Sequence, residues 1–160
     1  RAYALQGLDR HEDALAAFDR AGRDAANRLQ RGTAERGAIS ALMALERKDE
    51  ARQRFNAAYV AGRLQGVSAL DTAYLANQVG EYPIGYELLQ QADAQGLLHG
   101  TALLDAAYAA RRAFDNAAAE QFFRRAIDAH HRGEIRLDAQ RLFETRRDVA
   151  NLERHENLLL

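Results

Sequence analysis

The sequence predicts an all-α fold, and two observations support this prediction. Alanine, leucine and arginine dominate the composition, whereas proline occurs once, at Pro83. The dominant side chains lose little conformational entropy in a helix. Glycines also recur at a spacing of 34 residues, at Gly32, Gly66 and Gly100. Since 48% of the 160 residues are hydrophobic, the chain can bury a continuous core as one domain.

Three further columns repeat at the same period as these glycines. Behind each glycine come a small residue, a bulky apolar residue and an alanine, in the pattern AxxxFxxA. The copies are Ala51, Phe55 and Ala58; Gly85, Leu89 and Ala92; and Ala119, Phe123 and Ala126. This pattern resembles the tetratricopeptide repeat (TPR) family, whose helix-turn-helix units stack into a solenoid. The resemblance implies a TPR-type helix-turn-helix solenoid that binds or scaffolds other molecules and is not an enzyme.

The repeat register predicts how the chain is divided. We expect a single TPR solenoid over residues 1–160, with a partial repeat over 1–31, full repeats over 32–65, 66–99 and 100–133, and a capping helix over 134–156. In the partial repeat, Ala14, Phe18 and Ala21 carry the same signature. Because Ala14 and Ala51 are 37 residues apart rather than 34, we expect a longer connection between Gly22 and Gly37.

Apolar periodicity and helix-stop residues place the individual helices. The expected helices are Ala34–Leu45, Glu50–Ala61, Ser68–Val79, a helix with Pro83 in its first turn, Ala102–Ala113 and Ala117–His130. Proline is tolerated in a first turn because its missing N–H has no partner there. The repeat pattern ends at Glu134, and Arg141 and Glu144 occupy places where the pattern would have small or apolar residues. The segment is still amphipathic, so we expect it to cover the last repeat.

Composition also limits the classes of function. The chain has no cysteine, which excludes disulfides and thiolate chemistry and fits the cytosol and the periplasm equally. No apolar run approaches the roughly 20 residues of a membrane helix, so we expect no membrane insertion. Residues 64–110 contain five Asp or Glu and no Lys or Arg, which makes nucleic acid a poor ligand.

The sequence contains no recognisable catalytic or metal-binding motif. Its five histidines lack metal-ligand spacing, and no nucleophile elbow or phosphate loop is present. The pair His130–His131 is interpreted as a last-turn feature that the helix dipole favours. We therefore expect no catalytic residue, no metal site and no cofactor.

A binding surface is the better candidate for function. The TPR resemblance implies a concave groove lined by the first helix of each repeat, here by Asp71, Tyr74, Asn77, Gln78, Leu104, Asp105, Tyr108, Arg111 and Arg112. Tyrosine suits an extended peptide or a polysaccharide, because it combines an apolar face with a hydroxyl. The alternative is that these tyrosines, with Tyr3 in the partial repeat, only pack between helices. Asp71 and Asp105 place acid where the carboxylate-binding TPR clamp needs base.

Residues 101–156 carry a second, narrower resemblance. The run LLDAAYAARRAFDNAAAEQFFRRAID followed by QRLFETRRDVANLER is similar to the end of the periplasmic TPR region in bacterial outer-membrane proteins of the NfrA type. Those proteins are associated with phage adsorption and exopolysaccharide. The resemblance implies a periplasmic scaffold that binds a protein partner. Two alternatives stay open: a carbohydrate-binding conduit for an exopolysaccharide, and a cytoplasmic peptide-binding adaptor.

Overall fold

The computed structural model of the chain describes residues 2–6 and 10–158. All regular structure in those ranges is helical, which confirms the predicted all-α class. In chain order the helices are α1 (Ala2–Gln6), α2 (His11–Arg23), α3 (Arg28–Ala44), α4 (Lys48–Val60), α5 (Ala69–Gln78), α6 (Tyr82–Ala94), α7 (Ala102–Arg112), α8 (Asn116–His131) and α9 (Ala139–Leu158). The chain divides into two compact units, residues 1–88 and residues 89–160. Their assembly into one solenoid stays a prediction.

The turns after three helices repeat at the period of the sequence. Glu46, Gly80 and Phe114 follow α3, α5 and α7, and all three adopt left-handed φ angles, of 58°, 85° and 60°. In each turn the next residue donates its N–H to the carbonyl five residues back, at 2.8–3.0 Å. This bond satisfies a carbonyl that the end of the helix leaves without a partner. The 34-residue period is therefore present in the backbone as well as in the side chains.

Replacing Phe114 by glycine is expected to stabilise residues 89–160. Phe114 is 90% exposed, so its ring contributes little burial, and its φ of 60° is unfavourable for a residue with a Cβ atom. Phe114→Gly should raise the free energy of unfolding by about 0.5–1 kcal/mol, as measured by urea denaturation. Gly80→Ala is the matched opposite change: an added Cβ would meet nothing within 4 Å, so only backbone strain acts. A loss of stability in Phe114→Gly would contradict the assigned turn.

The core of residues 1–88 lies around α3 and α4. Ile39 of α3 and Phe55 of α4 are fully buried, and Phe55 stacks on Tyr59 with ring centroids 5.8 Å apart. Small side chains surround them and allow close helix contact. The fully buried alanines of this unit are Ala14, Ala38, Ala41, Ala51, Ala58, Ala73 and Ala76. The small-residue columns of the sequence therefore mark packing positions.

Helix α3 begins earlier than the sequence predicts. Its N-cap is Asn27, whose side chain accepts a hydrogen bond from the Gln30 N–H at 2.9 Å. The connection from α2 is only residues 24–27, so the expectation of a longer connection was wrong. The extra residues instead extend α3 at its N-terminus. There a Cβ on Gly66 would lie 2.5 Å from the Arg28 carbonyl oxygen, so this glycine is needed for close approach of two backbones.

Residues 89–160 form their own core from α7, α8 and α9. Phe123 of α8 and several alanines of α7 and α8 are fully buried, and Val149 and Leu152 of α9 are buried as well. Asp138 caps α9, because its Oδ1 accepts a hydrogen bond from the Arg141 N–H at 2.7 Å. A C-terminal helix therefore packs on this unit, beginning five residues after the expected start at Glu134.

Candidate functional site

The predicted groove residues of the first unit all lie on α5. Asp71 is exposed, and its carboxylate pairs with Arg36 of α3 at 3.2 Å. Ser68 donates its hydroxyl to the same carboxylate at 2.8 Å and accepts the Asp71 N–H at 3.1 Å, which caps α5. Tyr74 is half-buried and Gln78 is exposed. Asp71 thus joins α3 to α5, and much of its carboxylate remains open to solvent.

Asn77, the fourth of these residues, lies against the neighbouring helix. A Cβ atom built on Gly85 of α6 would stand only 2.2 Å from the Asn77 Oδ1. That oxygen is buried and accepts no hydrogen bond within the part of the chain that the structure describes. A buried acceptor without a partner is unfavourable. The Asn77 amide therefore lies close to Gly85 of α6, and a larger residue at position 85 would require this side chain to move.

In the second unit, the predicted tyrosine supports the helix pair. Tyr108 meets the buried Phe123 edge to face, with centroids 5.1 Å apart and planes at 81°. In the first unit Tyr3 meets Phe18 in the same way, at 4.9 Å and 76°. Both pairs have the same sequence spacing and preferred aromatic geometry. This arrangement favours the packing alternative for Tyr3 and Tyr108. Leu104 is also buried.

The two predicted groove arginines of α7 have different surroundings. Arg111 binds the Asp148 carboxylate of α9 at 3.1 Å, and the Asp148 side chain is only 11% exposed. Because burial of an unpaired carboxylate is costly, this ion pair holds α9 against α7. Arg112 is exposed on the same helix. Arg111 therefore has a structural partner, which the sequence pattern did not indicate.

A polar cavity of about 620 Å³ lies between α7 and α9. Its lining residues are Thr101, Leu104, Asp105, Arg136, Leu137, Asp138, Gln140, Arg141 and Glu144. Only Leu104 and Asp105 were among the predicted groove residues. The signal for the others was present at Arg141 and Glu144, charged residues at places where the repeat pattern expects small or apolar ones. The capping segment thus supplies most of this site.

A second cavity, of about 660 Å³, lies in the first unit and is mainly apolar. It is lined by Ala2, Tyr3, Ala17, Phe18, Arg20, Ala21, Asp24, Ala25, Leu29, Gln30, Thr33 and Ala34. Leu29 is 61% exposed here, which is high for a leucine. Ala21 is exposed too, although the corresponding Ala58 of the next repeat is fully buried. The copy of the sequence pattern at residues 14–21 therefore packs less completely at this position than the copy at residues 51–58.

The paired histidines have structural contacts at the end of α8. The Nδ1 atom of His130 accepts the Leu137 N–H at 3.1 Å, and the Nε2 atom of His131 lies 3.2 Å from the Arg146 guanidinium. Over residues 2–6 and 10–158, no three His, Asp or Glu side chains come together as ligands for a metal ion. None of the helices in those ranges is long and apolar enough to cross a bilayer.

Comparison of the chain with models of known protein families, with curated proteins and with solved structures finds no match.

Proposed function

We propose that this chain is a TPR-type interaction module, not an enzyme, and that it binds an extended segment of a protein partner. The observation that carries this proposal is the polar cavity between α7 and α9. Its volume of about 620 Å³ is comparable to that of ordinary ligand sites, roughly 300–1,000 Å³. Two of the predicted groove residues, Leu104 and Asp105 of α7, line the cavity, which supports the proposal.

The chemistry of the lining favours a peptide over a sugar polymer. The carboxylates of Asp105 and Glu144 can accept hydrogen bonds and the guanidinium groups of Arg136 and Arg141 can donate them, so the lining matches both the N–H and C=O groups of a peptide backbone. Polysaccharides bind well against flat aromatic rings. None of the lining residues is aromatic, and the nearby Tyr108 ring packs on Phe123. The peptide is therefore the better ligand.

The repeat identity is supported by the local geometry of each unit. Left-handed turn residues recur 34 positions apart, and the Tyr–Phe contact recurs with the same spacing at Tyr3–Phe18 and Tyr108–Phe123. A helix-turn-helix unit that repeats its sequence, turns and core contacts is typical of solenoid proteins. These features support the TPR assignment, and with it a binding or scaffolding role.

The proposal places the module in the bacterial envelope, in export or phage-adsorption machinery. The similarity of residues 101–156 to periplasmic TPR regions supports this location. Cell fractionation of the natural protein tests it, with protease added to intact spheroplasts. Digestion in spheroplasts would support a periplasmic module, whereas protection until lysis would assign it to the cytoplasm as an adaptor.

The peptide site is tested by selection and charge reversal. Peptides enriched from a random display library on the purified chain would be synthesised and titrated by calorimetry. Arg141→Glu should weaken their binding at least tenfold, about 1.4 kcal/mol, because it removes a donor from the cavity and repels acidic groups. Arg147→Glu is the matched control, since Arg147 is exposed on the same helix and does not line the cavity.

Equal peptide binding by Arg141→Glu and Arg147→Glu would show that the cavity is not the peptide site. A parallel titration with acidic, neutral and cationic exopolysaccharide oligomers tests the conduit alternative. Saturable oligomer binding that is lost in Arg141→Glu, together with a failed peptide selection, would reassign the cavity to a polysaccharide.

A further inference from the structure

A cluster of arginines in residues 1–88 has no place in the proposed function. A cavity of about 690 Å³ is lined by Asp19, Gly22, Arg23, Arg31, Glu35, Arg54, Ala57 and Arg63. Its four arginines face only two carboxylates, which leaves two positive charges without compensation. These residues come from α2, α3, α4 and the segment that follows α4. Residues far apart in sequence thus create one positive site.

Arg54 uses both carboxylates of the cavity. Its guanidinium binds Asp19 at 2.8 Å and Glu35 at 2.9 Å, and its side chain is 26% exposed. Burial lowers its pKa, but hydrogen bonds and charge attraction from Glu35 and Asp19 outweigh this effect, so the pKa lies above its ordinary value. Arg54 is therefore a fixed cation, and its acidic partners have little capacity left to neutralise the other arginines.

The guanidinium of Arg63 has a buried N–H donor that lacks an acceptor in the described part of the chain. Its Nε atom is buried and donates no hydrogen bond within the described residues. The closest carboxylate contact is with Glu35 Oε2 at 4.0 Å, beyond hydrogen-bonding distance. A buried donor on a charged group is costly when it has no acceptor. An acceptor oxygen brought by a ligand would satisfy it.

Arg23 and Arg31 provide the remaining donors at the mouth of the cavity. Both are exposed, and neither guanidinium has a hydrogen bond or ion pair in the portion of the chain that the structure describes. Each guanidinium presents a planar fork of N–H groups that matches the oxygens of an oxyanion. The site therefore has preformed charge at its base and adjustable donors at its edge.

We infer that this cavity binds a dianionic oxyanion of the phosphate-monoester class. Two uncompensated positive charges match a dianion, whereas one carboxylate would leave a net positive charge. The tetrahedral oxygens of a phosphate can accept from the Arg63 Nε–H and from the forks of Arg23 and Arg31 together. The phosphate site and the peptide cavity share no residues, so the failure of one assignment would leave the other unaffected.

The test is a titration of the whole chain with inorganic phosphate at constant ionic strength, followed by amide chemical shifts. Saturable shifts near Arg31 and Arg63 at pH 7.5 are expected. Binding of a phosphate monoester, whose second pKa is about 6, should weaken several-fold at pH 5.5. Inorganic phosphate has a higher second pKa, so its binding should weaken by at least as much, whereas sulfate should bind alike at both pH values. A response to phosphate no greater than that to chloride would overturn the inference.

Variants connect the response to the cluster. Arg31→Gln and Arg63→Gln should each weaken phosphate binding at least fivefold. Arg28→Gln should change it less than twofold, because Arg28 is exposed on the same helix as Arg31 but does not line the cavity. If Arg63→Gln loses helical circular dichroism, Arg23→Gln replaces it as the second variant. Equal binding by Arg28→Gln and the cluster variants would overturn the site.

The source of the phosphate is resolved by a phosphoserine peptide and its unphosphorylated form. Tighter binding of the phosphopeptide than of inorganic phosphate, lost in Arg31→Gln, supports the site and assigns a peptide-borne phosphate. Equal affinities of phosphopeptide and inorganic phosphate support the site for small phosphate monoesters. Equal binding of the two peptide forms would show that the phosphate group is not recognised.

Discussion

Phe123→Ala is expected to lower the free energy of unfolding of residues 89–160 by about 3–5 kcal/mol. Phe123 is fully buried in α8, and Tyr108 meets its ring edge to face. Removing the ring leaves a cavity that its neighbours can fill only in part, and it removes the aromatic contact as well. Urea denaturation followed by circular dichroism and by tyrosine fluorescence measures the loss. Circular dichroism reports both compact units, whereas five of the six tyrosines lie in residues 1–88, so fluorescence identifies the transition of that unit and separates it from the transition of residues 89–160.

Phe143→Ala is the matched control for this core substitution. Phe143 lies on α9 in the same unit, and 66% of its surface is exposed. The same change of side chain there should shift the unfolding free energy by no more than about 0.5 kcal/mol. If Phe123→Ala unfolded at the urea concentration of the natural sequence, Phe123 would not be the centre of this core, and the repeat register would be wrong.

The all-α class and most helix positions were predictable because their causes are local. Helices α5 and α7 begin and end within one residue of their predicted limits. Ser68 caps the start of α5, Gly80 lies in the turn after α5, and Gly100 lies in the turn before α7. Such signals act on neighbouring residues of the chain. A single sequence with strong caps and regular apolar spacing therefore determines its helices well.

The start of α3 could not be predicted from such local signals. Gly32 looks like a repeat boundary by its spacing, yet it lies inside the helix, where a Cβ would stand 3.0 Å from the Val67 side chain. Its small size fits a close tertiary contact and not a turn. A glycine needed for close approach and a glycine needed for a turn have the same letter in the sequence.

The candidate site was only partly predictable for a similar reason. Asp105 was identified from its repeat position, but Arg141 and Glu144 belong to a segment in which the repeat pattern ends. Arg111 was assigned to the groove from its repeat position, and its ion pair was missed because Asp148 is 37 residues away and gives no local signal. Ion pairs and cavities depend on which helices meet, and periodicity along one helix does not determine that.

Gly37→Ala is expected to destabilise residues 1–88 by about 1–3 kcal/mol, although alanine is the better helix former. Gly37 is buried in the interior of α3, and a Cβ there would lie 2.3–2.5 Å from three ring atoms of Phe18. Phe18 is itself only 3% exposed, so its ring has little room to move. Overpacking therefore outweighs the gain in helix propensity. Thermal and urea unfolding of the purified variant measure the effect.

Gly22→Ala separates the clash from the backbone effect. Gly22 lies in α2, and a Cβ there would meet only the Ala34 Cβ, at an ordinary 3.7 Å. The same substitution should therefore be neutral or stabilise by up to about 1 kcal/mol. Adding Phe18→Leu to Gly37→Ala should recover part of the loss, because the two sites are in contact and their effects do not add. If Gly37→Ala were as stable as Gly22→Ala, α2 and α3 would not pack through Phe18, and the first repeat would need a different arrangement.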